Sequence, residues 1–284
     1  YSQNRLWKKK AKALQNKAMA FPKRVYRYCE KRKYLRGAYE KKLHILNTDE
    51  TLSALETMNF SFLRFGDGEI AITNGQGIPF QEANESLGRR LKELLTVQEE
   101  GLKVGIPYYY MHPIRNMNAF VQNFAYALGK QRKYLLTNCN KDSIYIDTCL
   151  TQVYQTYADY DFDTYYVRMQ KLLEGKDVTV ICGEGVLDKL QYRALDVCNS
   201  VEYVYGPSMN AYSEYDKLLE QAKKIDKNRL VLVILGPTAK VLVYDLYKAG
   251  YTAWDMGHYL KDYDAYKRQR PRTEAEITQF YKPD

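Results

Sequence analysis

From residue 44 onward, short β-rich runs alternate with amphipathic stretches. SFLRF (61–65) and LKVGIP (102–107) read as strands, and residues 83–97 and 116–129 repeat their apolar positions at helical spacing. The second half is more regular. Residues 177–182, 201–205, 229–235 and 251–256 have strand character, and 211–224 and 238–250 read as helices between them. Residues 229–235 (RLVLVIL) are almost continuously apolar, as expected of a central strand covered on both faces. The pattern predicts an α/β fold, a Rossmann-like, mostly parallel sheet flanked by helices. No internal repeat or low-complexity tract interrupts it.

The first 43 residues follow a different rhythm. Leu6, Trp7, Leu14, Met19, Phe21, Val25, Tyr26, Leu35 and Tyr39 recur at loosely helical intervals, with Pro22 expected to divide two helical pieces. We therefore expect a basic helical arm (1–43) followed by a Rossmann-like domain (44–284). The formal net charge of +9 belongs to that arm, which carries 15 Lys/Arg against Glu30 and Glu40. The rest of the chain is acidic, so the charge is no argument for nucleic-acid binding. Such an arm suits packing on the body or a partner subunit, or peripheral contact with an anionic membrane. No apolar run is long enough to span a bilayer, and five cysteines without a C-x-x-C pair suggest neither a disulfide framework nor a zinc knuckle. A cytoplasmic location is expected, with a peripheral position at the inner membrane face as the alternative that the arm offers.

In α/β sheets ligands bind outside the carboxyl ends of the strands. Here those ends carry glycine turns: Gly66-Asp67-Gly68-Glu69, Gly183-Glu184-Gly185, Gly206-Pro207-Ser208 and Gly236-Pro237-Thr238. A helix starting at Pro237 or Thr238 would offer N–H groups to an anion such as a diphosphate. Neither a dinucleotide fingerprint nor a P-loop is present. If residues 67–69 are extended, Asp67 and Glu69 point to one side and can converge on a hard cation, Mg²⁺ or Mn²⁺. On spacing alone the tripeptide is more commonly an Asx-type turn with a solvent-exposed Glu.

LRFGDGEI (63–70) resembles the D-x-E metal motif of the GT-D-fold glycosyltransferases. The similarity continues through FQEANESLGRRLKELL (80–95), YGPSMNAYSEYDKLLE (205–220), ILGPTAKVLVYDLYKAGY (234–251) and DMGHYLKDYDAY (255–266). The resemblance implies a Rossmann-like fold, a nucleotide-sugar donor such as UDP-glucose, and a divalent metal held through Asp67 and Glu69. It places Arg64, Gly66 and Gly68 around that metal, and matches Gly236, Pro237 and Thr238 to the family's G-P-T and Asp255 to His258 to its D-x-G-H. The acidic stretch that follows departs from the family pattern, reading Leu260-Lys261-Asp262-Tyr263-Asp264. Asp264, then Asp262, are the candidate general bases. The run after residue 182 also departs from the family.

His258 is a candidate for metal or donor contact, or for a structural hydrogen bond. His44 and His112 are expected to be structural, and Tyr108 to Tyr110 to pack in the core or to stack on a sugar. The function expected is metal-dependent sugar transfer from a UDP-hexose to a glycan or glycoprotein acceptor in bacterial surface glycan assembly. The alternatives are a metal-dependent phosphoesterase and a non-catalytic nucleotide-sugar-binding scaffold.

Overall fold

The computed structural model describes residues 25–281. Pro22 and the apolar positions of the arm before residue 25 lie outside them. Helix α1 (25–35) is followed by β1 (His44–Ile45), α2 (Thr48–Thr57), β2 (Ser61–Arg64), α3 (Asp67–Thr73), α4 (Glu85–Leu94) and β3 (Leu102–Ile106). Then come α5 (Ala119–Ala127), α6 (Gly129–Asn138), β4 (Ile144–Asp147), α7 (Val153–Thr156), α8 (Phe162–Leu173), β5 (Asp177–Gly183) and β6 (Ser200–Gly206). The last elements are α9 (Tyr215–Ala222), β7 (Leu230–Ile234), α10 (Thr238–Lys248), β8 (Ala253–Asp255), α11 (Tyr259–Lys267) and α12 (Glu274–Phe280).

The strands form an eight-stranded sheet in the order β1-β4-β3-β2-β8-β7-β5-β6, and every pairing between them is parallel. The chain runs outward from β2 through β3 to β4, crosses to β5 and β6, and returns through β7 to β8 beside β2. The strand order thus reverses at β2 and β8, where an α/β sheet opens a crevice.

Strand periodicity explains the layers. In β7, Val231 and Val233 join the core under α4, α9 and α10, whereas Leu230 and Leu232 face the opposite core with α2, α8 and α11. Leu63 and Phe62 divide in the same way in β2. A strand buried on both faces needs apolar residues at every position, hence the continuous run at 229–235. Several helices begin where a side chain accepts from an otherwise unpaired backbone N–H: Asn47 with a reciprocal Glu50 bond, Asn84, Asp161 and Thr273.

The described part of the arm is fastened to the body. The Tyr34 hydroxyl, 1% exposed, donates to the carbonyls of Tyr109 and His112 at 2.8 Å each. Beneath its ring lies the guanidinium of fully buried Arg132, 4.1 Å from the ring centroid, which donates to the Tyr110 and Ala125 carbonyls. His112 stacks on Tyr108 and lies within hydrogen-bonding distance of the Tyr108 and Glu40 carbonyls.

Helix α3 packs against α4 at Gly88, where a Cβ would lie 2.8 Å from the Ile72 carbonyl oxygen. Gly88→Ala gains helix propensity of about 1 kcal/mol but must push two backbones apart. We expect net destabilisation of about 1–2 kcal/mol, read as a lower denaturant midpoint at unchanged slope.

Candidate functional site

Over the carboxyl ends of the central strands lies a cavity of about 520 Å³. Its floor is built on four charged residues. Arg64 closes β2, Asp255 closes β8, Lys240 sits in the first turn of α10, and Glu69 in the first turn of α3. The Arg64 Nε and Nη2 donate to the Asp255 carbonyl (2.8 Å) and Oδ1 (3.2 Å), and its backbone N–H donates to Oδ2 (3.1 Å). The Lys240 Nζ reaches Asp255 Oδ2 at 3.1 Å, Glu69 Oε1 at 2.9 Å and the Gly236 carbonyl at 3.0 Å. Glu69 Oε2 accepts from the Gly66 N–H at 2.8 Å, closing the start of its own helix. Burial opposes the charge on Asp255, but Arg64 and Lys240 outweigh it and hold its pKa below the ordinary carboxylate value. Gly257, at φ +43°, leaves room for Arg64: a Cβ there would fall 1.5 Å from Nη2.

The residues expected at a metal site are present in a different geometry. Residues 67–73 are helical, so Asp67 and Glu69 do not project to one side as they would from extended backbone. Glu69 is committed to Lys240 and the helix start. Asp67 opens onto the cavity with protein around it, and burial, then the Glu69 charge, raise its pKa, with its own and the Gly68 N–H partly offsetting them.

Of the expected donor-binding residues, Arg64, Gly66, Gly68, Gly183, Pro207, Ser208, Gly236 and His258 line the cavity. Glu184, Gly206, Pro237 and Thr238 do not. Thr238 is fully buried, with its hydroxyl 3.5 Å from Gln81 Oε1. The ring of His258 is held between Phe280 and Tyr281, with centroid distances of 5.3 and 5.1 Å. Burial, reinforced by Arg64, Lys261 and Lys240 and opposed by Asp255, lowers its pKa to about 3.

The two aspartates expected as general bases are not brought to the cavity. Asp262 is fully buried and accepts from the Tyr154 and Gln155 N–H groups and the Tyr166 hydroxyl, which ties α11 to the start of α7. Burial pushes its pKa up to about 7, with Tyr166 and the two N–H groups pulling the other way. Asp264 accepts from the Gln191 and Tyr192 N–H groups and pairs with Arg268. Helix α11 is buried on nearly all sides, so the two aspartates, pointing in almost opposite directions two residues apart, both meet protein: Asp262 at α7 and Asp264 at residues 191–192.

Sequence reasoning did not single out Lys240, Phe80, Phe124 or Tyr281 as site residues. Lys240 had a visible signal, a lone lysine within the apolar start of TAKVLVYDLY. Tyr281 had none.

An all-parallel α/β sheet with a charged cavity at its strand-order reversal defines a ligand-binding or catalytic α/β domain. The sequence model of the family described as "Glycosyltransferase GT-D fold" matches residues 62–280, so this chain belongs to the GT-D-fold glycosyltransferase family. It is 29% identical over 236 residues to the "Probable glycosyl transferase Gly" of Streptococcus gordonii and 29% over 230 residues to the "Glycosyltransferase GlyD" of Streptococcus pneumoniae serotype 4 (strain ATCC BAA-334 / TIGR4). Each alignment covers 79% of this chain, which spans only 33% and 28% of those relatives. Among solved structures it resembles one described as "The highly conserved domain of unknown function 1792 has a distinct glycosyltransferase fold", with TM-score 0.77, 30% identity and 86% of each chain covered. It also resembles "A New Glycosyltransferase (DUF1792) from Streptococcus sanguinis", with TM-score 0.76, 27% identity, and 85% of this chain and 94% of that one covered.

Two outcomes test these assignments. Asp262→Ala leaves three donors without their acceptor, at about 1–3 kcal/mol for each buried one, so it should lower the melting temperature markedly. Where the variant remains folded, the cavity and its charged floor should be unchanged, because Asp262 does not line them. His258→Phe keeps the ring packing and removes a titration. In wild type the unfolded chain takes up a proton near 6.5 while the folded chain resists it down to about 3, so stability is lost as pH falls through that window. Denaturant titrations from pH 7 to 4 should show a shallower decline for the variant.

Proposed function

We propose that this chain is a metal-dependent glycosyltransferase using a nucleotide-sugar donor, a UDP-hexose such as UDP-glucose. Its acceptor would be a glycan or glycoprotein in bacterial surface glycan assembly. The observation that carries this reading is the charged floor at the reversal of strand order, in a chain of the GT-D-fold family. Arg64, Lys240 and Lys261 on the cavity wall give a donor diphosphate cationic neighbours, and the turns at Gly183, Ser208 and Gly236 permit close backbone approach.

The residues fit Mn²⁺ or Mg²⁺ in a limited way. Among the described residues no group of three or more His, Cys, Asp or Glu side chains could enclose a metal. An ion held by one or two carboxylates together with substrate phosphates needs no such cluster. Asp67 is the ligand best placed for it, because it lines the cavity while the other two carboxylates there, Glu69 and Asp255, are held by Lys240 and Arg64. When bound, the metal would offset charge developing on the leaving diphosphate.

In the transfer, the bond from the sugar anomeric carbon to the diphosphate oxygen breaks, a bond to an acceptor hydroxyl oxygen forms, and the hydroxyl proton passes to the departing diphosphate or to water. The carboxylates facing the cavity are Asp67, Glu69 and Asp255, of which the last two are held in ion pairs. Lys240 keeps them fixed, so the floor needs little rearrangement as charge develops.

Calorimetric titration of UDP-glucose into wild type and Asp67→Asn, with and without Mn²⁺, tests this. Wild-type affinity should rise at least about tenfold with Mn²⁺, and the variant should lose that gain, about 1.4 kcal/mol. Binding indifferent to both metal and Asp67, or no binding of any nucleotide sugar, would sink the proposal. Donor binding without transfer to any acceptor would favour the scaffold reading.

A further inference from the structure

The wall of the cavity changes chemistry along the sheet. Charged residues gather at the ends of β2 and β8 and the start of α10, and glycine turns line the side of β5, β6 and β7. On the β3 side the wall is uncharged and aromatic. It consists of Tyr109 from the turn after β3 and Phe120 and Phe124 one helical turn apart on α5, and Tyr281, directly after α12, adds an aromatic ring to the same cavity from beside His258.

The segment that carries Tyr281 is firmly seated. Arg272 donates to the carbonyls of Tyr154, Tyr157 and Ala158 and lies over the Tyr154 ring at 4.4 Å. The Thr273 hydroxyl caps α12, and Ile277 is fully buried. Thr278, one turn before Tyr281, faces the same cavity. Tyr281 meets His258 edge to face, which ties the last helix to the turn after β8.

We propose that this aromatic wall is the acceptor subsite, taking a neutral pyranose of the acceptor glycan against Tyr281 and Phe124. The assignment rests on the transferase reading above. A diphosphate needs the cations and N–H groups found elsewhere in the cavity, and an uncharged aromatic wall offers it nothing. A pyranose ring presents a face of C–H groups and a rim of hydroxyls, which suits aromatic rings beside the Thr278 hydroxyl. Because β3 adjoins β2 in the sheet, a sugar held there lies next to Asp67 and the charged floor, where the donor sugar would be presented. Tyr281 and Phe124 would then set which acceptor rings fit.

The probes are methyl β-glycosides of glucose, galactose and N-acetylglucosamine, observed by saturation-transfer NMR on protein loaded with UDP and diamagnetic Mg²⁺. At least one probe should receive saturation from wild type. Its signal should fall at least fivefold in Tyr281→Ala and in Phe124→Ala, while Tyr281→Phe, which keeps the ring, retains it. UDP-glucose affinity, measured in parallel, should stay within about twofold in all three variants, which also shows that they are folded. No probe bound by wild type, an unchanged signal in both alanine variants, or loss of donor affinity in both would overturn the assignment. If UDP-glucose fails to bind wild type, the transferase reading falls first and this one with it.

Discussion

The site depends on one buried charge network. Asp255 lies between Arg64 and Lys240, Lys240 also holds Glu69, and all four side chains are nearly excluded from solvent. Separately, each charge would be costly to bury; together they satisfy one another and the backbone groups around them. Removing one member of such a network typically costs about 3–5 kcal/mol, because its partners stay buried without compensation. The network joins β2, α3, β8 and α10, with Arg64 and Asp255 separated by 191 positions in the chain and adjacent only after the sheet has closed. It fixes the two central strand ends relative to each other.

From that fixed point the rest of the cavity follows. Arg64 can lie across the end of β8 only because Gly257 has no side chain, and α3 can present Asp67 only because Gly88 lets α4 pack beneath it. On the other flank, Tyr34 and Arg132 hold the backbone carbonyls of Tyr109, Tyr110 and His112, so the described end of the basic arm braces the aromatic wall. Asp262 and Arg272 fasten opposite ends of α7 and thereby seat α11 and the C-terminal helix. Ion pairs and helix ends hold the charged half of the cavity, and packed aromatic rings with hydrogen-bonded carbonyls hold the uncharged half.

Much of the architecture was legible in the order of residues, for a physical reason. Strands buried on both faces must be apolar throughout, and helices on a sheet must be apolar on one side, so β2, β3, β5, β7 and β8 and helices α4, α5, α9 and α10 appear as patterns, while the half-exposed edge strand β6 shows through its valines and tyrosines. β1, β4 and α11 did not. β1 has two residues and β4 four, and α11 carries polar groups on its packed face, because its aspartates serve backbone N–H groups rather than solvent. Periodicity cannot distinguish a buried carboxylate that holds a helix end from one that faces a substrate.

The sequence by itself determined the fold class and the glycine turns at the strand ends, since these depend on local conformation and on periods of two and 3.6 residues, whereas LRFGDGEI stood out through its resemblance to the GT-D family. Only the tertiary structure decided that Asp67 and Glu69 part company in the first turn of a helix, that Lys240 takes Glu69, that Asp262 and Asp264 face inward, and that Tyr281 faces the cavity. Each of these rests on which distant residue arrives beside it, and charge pairing and burial are properties of neighbours in space, which the chain acquires only when the sheet forms.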